Sequence, residues 1–286
     1  MAIRPSDELV PVPESGRVFT LARRPGLADC APSGRMRLDA MARWLQDVAY
    51  LDVDDAGVED RAFWILRRTR MQVQRFPVIN ERCVLRTFCS GVGRLVAERR
   101  TSIVTAEDPA AVLVEAGALW VHLDPVSHRP TDLTQEELEI FASAGYGTRR
   151  VSHRLGHPRP EPGAGTRRLD WRFRRVDTDV ADHVNNSAYW ELLEEELLEE
   201  GRLDHAGGGG AAIAGSSGAA GTSGTAGTSG TAGTSGAARA ARLDAEIEFR
   251  DGAQPGPAAY FVDGERRHVR DPAGTLLATF VLRELA

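Results

Sequence analysis

Residues 177–190 read Asp-Thr-Asp-Val-Ala-Asp-His-Val-Asn-Asn-Ser-Ala-Tyr-Trp. Asp177, Asp179, His183, Asn185 and Asn186 thus stand just ahead of a helical run. A helix N-terminus offers unpaired N–H groups and a partial positive charge. A carboxylate and an imidazole placed there can activate water or attack a carbonyl, while the N–H groups stabilise the oxyanion that results. The same residues also allow a plainer arrangement, in which Asn185 or Asn186 caps the helix and His183 is a hydrogen-bonded spacer. A cation site from Asp177, Asp179 and His183 is a third arrangement, and it suits a loop running into a helix less well.

The elements that must position these residues follow from periodicity. Tyr189, Leu193 and Leu197, with Leu192 and Leu198 beside them, recur at helical spacing. The opposite face carries Glu191, Glu194, Glu195, Glu196, Glu199 and Glu200, a run that reads as solvated. A strand over 168–176 leads into the motif. Residues 206–238 are Gly, Ala, Ser and Thr in near-repeats, which cannot bury a core and read as a flexible insertion. Strands resume over 245–250, 258–262, 266–270 and 276–282.

The first half has the same order. A loose tail spans 1–15, and Val18–Ala22 is a first strand. Met41, Trp44, Leu45 and Val48 mark a helix over 37–51. Extended segments follow over 63–75, 84–88, 95–104 and 111–123, with Gly91-Val92-Gly93 as a turn. Thr134 and Glu137 have capping-box spacing and open a short helix over 133–144. A Gly/Pro/Arg/His-rich linker covers 145–165. Asp29 aligns with Asp179, since each follows a strand and precedes a helix. The chain therefore reads as an internal duplication in which the second copy alone has the His and Asn residues.

Composition narrows the function classes. The chain has 286 residues, 42% of them apolar, enough for real cores. No apolar run reaches membrane-spanning length, and the N-terminus has no apolar signal core, so a cytoplasmic protein is expected. Cys30, Cys83 and Cys89 form no metal-ligand pattern, and their odd count argues against a disulfide framework; no metal or cofactor is expected. A net charge of −6 excludes a nucleic-acid binder. Every basic residue is arginine, and residues 149–175 concentrate nine of them against Glu161 and Asp170. Such a stretch either pairs with the protein's own acids or docks an acidic partner or a phosphate.

Together these features resemble the acyl-acyl carrier protein thioesterase family, with two hot-dog folds in one chain. Residues 177–190 are similar to that family's Asp-x-Asp-x-Asn-x-His-Val-Asn-Asn-x-x-Tyr segment. Phe63 to Met71, Arg75-Phe76-Pro77 and Thr87 to Arg94 are similar to its paired strands and turn. The order of elements agrees over roughly residues 16–283, the Gly/Ser/Thr insertion apart. The resemblance implies an α+β fold of two tandem hot-dog domains, each an antiparallel sheet wrapped around a central helix, with boundaries at 16–132 and 166–286 and a linker with a short helix over 133–165.

The resemblance further implies hydrolysis of a fatty acyl thioester, carried by acyl carrier protein or coenzyme A, to a free fatty acid, as in fatty acid biosynthesis. Asp179 matches the catalytic carboxylate and His183 the catalytic histidine. Backbone N–H groups at Val184, Asn185 and Asn186 would hold the oxyanion or position the site. Arg172, Arg174 and Arg175 are the carrier-docking candidates. The chain departs from the pattern twice: Ala181 replaces an asparagine, and Gly252 falls where an acidic residue or cysteine is expected, with Asp251 adjacent as a candidate auxiliary. The alternative is a non-catalytic acyl-binding or regulatory hot-dog protein; a hot-dog dehydratase is disfavoured by the missing asparagine. A duplicated chain supplies its own pairing, so a monomer or a homodimer is expected.

Overall fold

The computed structural model describes residues 9–141, 149–163, 165–203 and 242–283; the insertion read over 206–238 lies outside them. The strands are β1 (Phe19–Arg23), β2 (Phe63–Val73), β3 (Cys83–Val92), β4 (Val96–Thr105), β5 (Val112–Leu123), β6 (Arg167–Phe173), β7 (Leu243–Phe249), β8 (Gly256–Asp263), β9 (Arg266–Arg270) and β10 (Leu276–Arg283). The helices are α1 (Leu38–Asp55), α2 (Gln135–Phe141) and α3 (Ala188–Glu199). The expected α+β architecture is present, and the two halves share one sheet. Its order is β1-β3-β4-β5-β2-β7-β10-β9-β8-β6, antiparallel throughout. Read outward from the β2–β7 seam, the halves have the same strand order, so β1 to β5 correspond to β6 to β10 and α1 to α3.

Both long helices pack against each other and on the same face of this sheet, in one core. Met41, Trp44, Leu45 and Val48 of α1 join Tyr189, Leu193 and Leu197 of α3, with Met71, Val73, Ala245 and Ile247 from the seam strands. Burying one such side chain stabilises by about 1.5–3 kcal/mol. The acidic face of α3 is not wholly solvated. Glu194 and Glu196 are buried, because α3 packs against both the sheet and α1 and each acid meets a cation inside. Glu196 takes Arg267 (Nη2–Oε1 2.7 Å) and the Tyr260 hydroxyl (2.5 Å). Glu194 lies 2.9 Å from the Arg35 guanidinium. The predicted capping box is present at α2: the Thr134 N–H donates to Glu137 Oε2 (2.7 Å) and the Glu137 N–H to Thr134 Oγ1 (3.2 Å).

The seam carries charge. Along β7, Leu243, Ala245, Ile247 and Phe249 enter the core while Asp244, Glu246 and Glu248 face the other way, and all seven are buried. β2 sets Arg68, Arg70 and Gln72 opposite Glu248, Glu246 and Asp244. Arg70 grips Asp244 with two hydrogen bonds, 2.9 and 2.7 Å. Residues 149–163 run over this face as a strap. Arg149 bonds Glu98, whose other oxygen lies 3.2 Å from Arg68. His157 Nε2 is 2.7 Å from Glu246 Oε1, and the His157 N–H donates to Glu248 at 2.9 Å. Burial alone would raise the Glu246 pKa; the His157 hydrogen bond and nearby Arg68 hold it down at about 2. Part of the basic stretch is therefore internal wiring. Gly91 and Gly93 do more than turn the chain, since a Cβ on Gly93 would stand 2.5 Å from the Val151 carbonyl oxygen of the strap.

Removing one partner of a buried ion pair leaves the other charged and desolvated. Arg70→Met is expected to lower unfolding stability by about 3 kcal/mol in urea titrations, and Arg70→Met with Asp244→Leu to recover most of the loss. A single variant as stable as its parent would contradict a charged seam.

Candidate active site

After β6 the chain makes a single 3-10 turn over Arg175–Asp177 and then a tight loop. The Asp179 N–H donates to the His183 carbonyl (3.0 Å), and the Asp182 N–H donates back to the Asp179 carbonyl (3.0 Å). Asp182 closes the loop at φ 58, a left-handed conformation that aspartate tolerates better than most residues. This loop presents Asp179 with both carboxylate oxygens engaged. Oδ1 accepts the Ala181 N–H (2.9 Å) and Oδ2 accepts Asn185 Nδ2 (2.9 Å). Ala181 has no side-chain amide to offer, yet its backbone N–H orients the carboxylate.

Asn185 is the hub. Its Oδ1 accepts the Ser187 N–H (2.8 Å); a backbone N–H can only donate, so the amide must turn its NH2 group to Asp179. Gln46 of α1 faces the same amide with two bonds, Nε2 to Oδ1 and Oε1 to Nδ2, both 3.2 Å. Sequence reasoning missed Gln46, which comes from the other half, 139 positions away, with no local signal. His183 is exposed, and its Nδ1 lies 2.9 Å from the Ala181 carbonyl. A carbonyl only accepts, so Nδ1 carries a proton. The ring lies against Gly252, where a Cβ would come within 2.6 Å of His183 Cδ2. The missing side chain at Gly252 thus makes room for the imidazole. Asp251 is exposed and accepts the Gly252 N–H (2.9 Å). Burial, and then the Asp251 charge, push the Tyr189 hydroxyl pKa up.

The expected N–H cluster divides. The Val184 N–H donates to the Ala253 carbonyl (2.9 Å) and the Asn185 N–H to the Asp177 carbonyl (2.7 Å), so both are spent. The Asn186 N–H has no acceptor among the described residues. The first half shows what such a group can hold. There the Met36 N–H donates to Pro77 and the Arg37 N–H to Asp29, matching Val184 and Asn185 bond for bond. The next N–H, Leu38, binds Glu194 Oε2 at 2.5 Å. These bonds also correct the alignment of the halves: Asp29 corresponds to Asp177, since each closes a 3-10 turn by accepting the N–H three residues back, Gly26 and Arg174. Asp179 corresponds to Ala31.

Around the loop, Arg174 is tied to Asp177 and Glu191. Arg172 and Arg175 are exposed, and no carboxylate of the described residues pairs with them. Val176 and Val180 beside them are 83% and 105% exposed. A cleft of about 680 Å3 runs from Arg174 and Asp179 to Ala31 and Arg43. A narrow crevice of about 10 Å3 is lined by Ala42, Leu45, Leu66, Trp120 and Trp190, with Gln46 and Asn186 also on its wall. Its Trp120 indole N–H is buried and unpaired. His157, Glu246 and Glu248 bring ligand atoms within 4.8 Å of one another. The imidazole and both carboxylates already bond the strap or the sheet, so this group is a clasp. Asp177 turns its carboxylate to Arg174, away from a cation shared with Asp179.

Sequence comparison matches residues 27–141 to the family described as "Acyl-ACP thioesterase N-terminal domain" and residues 162–206 to "Acyl-ACP thioesterase C-terminal domain". An uncharacterized protein of Mycobacterium tuberculosis is 27% identical over 195 residues, 67% of this chain and 74% of that one. The "Oleoyl-acyl carrier protein thioesterase 2, chloroplastic" of Arabidopsis thaliana is 24% identical over 189 residues, 58% of this chain and 51% of that one. The crystal structure of an acyl-ACP thioesterase from Bacteroides thetaiotaomicron superposes with a TM-score of 0.64 at 14% identity, over 93% of this chain and 98% of that chain. The 12:0-ACP thioesterase from Umbellularia californica gives 0.61 at 13%, over 94% and 98%. At these identities the structures speak for the fold.

The contact at Gly252 is open to test. Gly252→Ala is expected to displace the His183 ring, read as a shift of its imidazole NMR signals, with little change in melting temperature. Unmoved His183 signals would show that the ring does not depend on the glycine.

Proposed function

The chain belongs to the acyl-ACP thioesterase family, and from that premise we propose that it hydrolyses a fatty acyl thioester of a phosphopantetheine carrier at Asp179, releasing the free acid and the carrier thiol. One observation carries the reading. A carboxylate held by the Ala181 N–H and the Asn185 amide stands beside a helix start whose Asn186 N–H is unspent. In the first half the equivalent N–H of Leu38 already binds an anionic oxygen. An N–H that holds a carboxylate oxygen in one half is suited to an oxyanion in the other.

In this reading the acyl chain enters the crevice at Gln46 and Asn186, displacing Trp120, whose indole forfeits no hydrogen bond by moving. The carbonyl oxygen takes the Asn186 N–H. Asp179 either removes a proton from water, whose oxygen attacks the carbonyl carbon, or attacks that carbon itself to give an anhydride that water then opens. Either way the C–S bond breaks and the sulfur leaves as a thiol once protonated. His183 holds its Nδ1 proton on the Ala181 carbonyl, which leaves Nε2 as the nitrogen that can carry a proton to or from the loop. Asp251 is an auxiliary charge at its rim.

The carrier is proposed to be acyl carrier protein before coenzyme A. Arg172 and Arg175, free of internal acids and flanked by exposed Val176 and Val180, offer an acidic partner both charge and apolar contact; Arg174 is committed to Asp177 and Glu191. The second reading, a non-catalytic acyl-binding protein, is favoured by one feature, the absence of a side chain at Gly252 opposite His183.

Thiol release from a panel of acyl-carrier-protein and acyl-CoA thioesters tests both. Asp179→Asn is expected to lower kcat by about 10^3-fold. Arg172→Ala with Arg175→Ala is expected to raise KM several-fold for the carrier-protein substrate and to leave acyl-CoA unaffected. Acyl binding without turnover at any chain length would decide for the binding protein.

A further inference from the structure

The site in the second half is not built by the second half alone. Asn185 has two amide protons and two acceptor directions, and every one is used. The protons go to Asp179 Oδ2 (2.9 Å) and Gln46 Oε1 (3.2 Å). The oxygen accepts from Ser187 N (2.8 Å) and Gln46 Nε2 (3.2 Å). Two of the four bonds therefore come from a single α1 side chain. The paired amides form a flat, two-point contact, and such a contact resists rotation about the Asn185 side-chain torsions in a way one bond does not. Gln46 also lines the crevice beside Asn186, so one side chain touches both that crevice and the amide that holds the carboxylate.

The first half offers a built-in comparison. The correspondence of the halves places Glu194 of α3 where Gln46 stands on α1, Arg35 where His183 stands, and Ala31 where Asp179 stands. In that half the α3 residue fills the helix-start N–H itself: Glu194 Oε2 takes Leu38 N at 2.5 Å, and Arg35 covers the remaining oxygen at 2.9 Å. That location is closed by its own side chains. A neutral amide at position 46 reaches to Asn185 and leaves the Asn186 N–H unoccupied. The residue at this one helical position thus distinguishes an occupied helix-start N–H from an unoccupied one.

We propose that Gln46 is a positioning residue of the Asp179 site, supplied by the first half across the α1–α3 contact: it locks the Asn185 amide so that Nδ2 stays on the Asp179 carboxylate. This rests on the reading of Asp179 as the working carboxylate, and it is tested separately from it. Gln46→Met keeps the side-chain volume in the crevice and removes both bonds; Gln46→Leu serves if the first variant does not fold. The Asn185 side-chain amide is followed by NMR, a readout that needs no turnover.

Without its two-point contact the Asn185 amide is free to rotate, so Gln46→Met is expected to shift the Asn185 NH2 signals and speed their exchange with water. In turnover it is expected to lower kcat about tenfold with KM within twofold of the parent, since a loosened carboxylate costs rate more than binding. Asn185→Ala is expected to do the same, and adding Gln46→Met to it to change nothing further, the signature of two residues acting through one contact. Asn185 amide signals unchanged by Gln46→Met, or full additivity of the two substitutions in kcat, would overturn the proposal. An Asp179→Asn variant as active as its parent would instead overturn the assignment of Asp179, with the NMR result standing by itself.

Discussion

The structure depends on the pairing of β2 with β7. Each half alone would end in an exposed strand edge, with unpaired N–H and C=O groups along it. Joined antiparallel, the two edges satisfy each other and turn two five-stranded sheets into one of ten strands. The outer side of the seam is charged: arginines on β2 stand against acids on β7. Buried pairs of this kind add little net stability over apolar packing but strongly penalise any other register. The strap of residues 149–163 then covers the charges and supplies Arg149 and His157 to them. This alignment places α1 and α3 side by side on the core face, and their contact brings Gln46 to Asn185.

Two copies of one backbone arrangement end with different chemistry. The hydrogen bonds that shape the loop before α1 recur before α3 nearly one for one. What differs is a handful of side chains. Ala31 replaces a carboxylate, Arg35 an imidazole and Glu194 an amide, and the result is a buried ion pair on the helix-start N–H. Burial pushes the Glu194 pKa up, only partly offset by Arg35 and the Leu38 N–H. Such a pair is costly to bury, and it ties the first-half loop to α3. One copy thus serves as scaffold for the other.

The two departures from the family motif have local explanations. Ala181 contributes its N–H to Asp179 and its carbonyl to His183, both backbone groups that any residue there would supply. At Gly252 the ring of His183 fills the space a side chain would need. The orienting work falls on Asn185, which is held from three sides.

The sequence by itself determined the elements, the duplication and the loop that carries Asp179. These rest on short-range rules: helical and alternating periodicity, capping spacing, and turn residues that act within a few positions of themselves. Every strand predicted from periodicity is present to within a few residues. The tertiary structure alone decided which charges are buried, because Glu194 and Glu196 look the same in sequence as the solvated Glu195 and Glu199, and only the arginines that meet them distinguish them. It also decided that Val184 and Asn185 have spent their N–H groups, that Asp29 matches Asp177, and that Gln46 belongs to the site. Each of these depends on a partner far away in the chain. A hydrogen bond between residues 46 and 185 leaves no periodicity and no spacing to read; it exists only because the seam has closed.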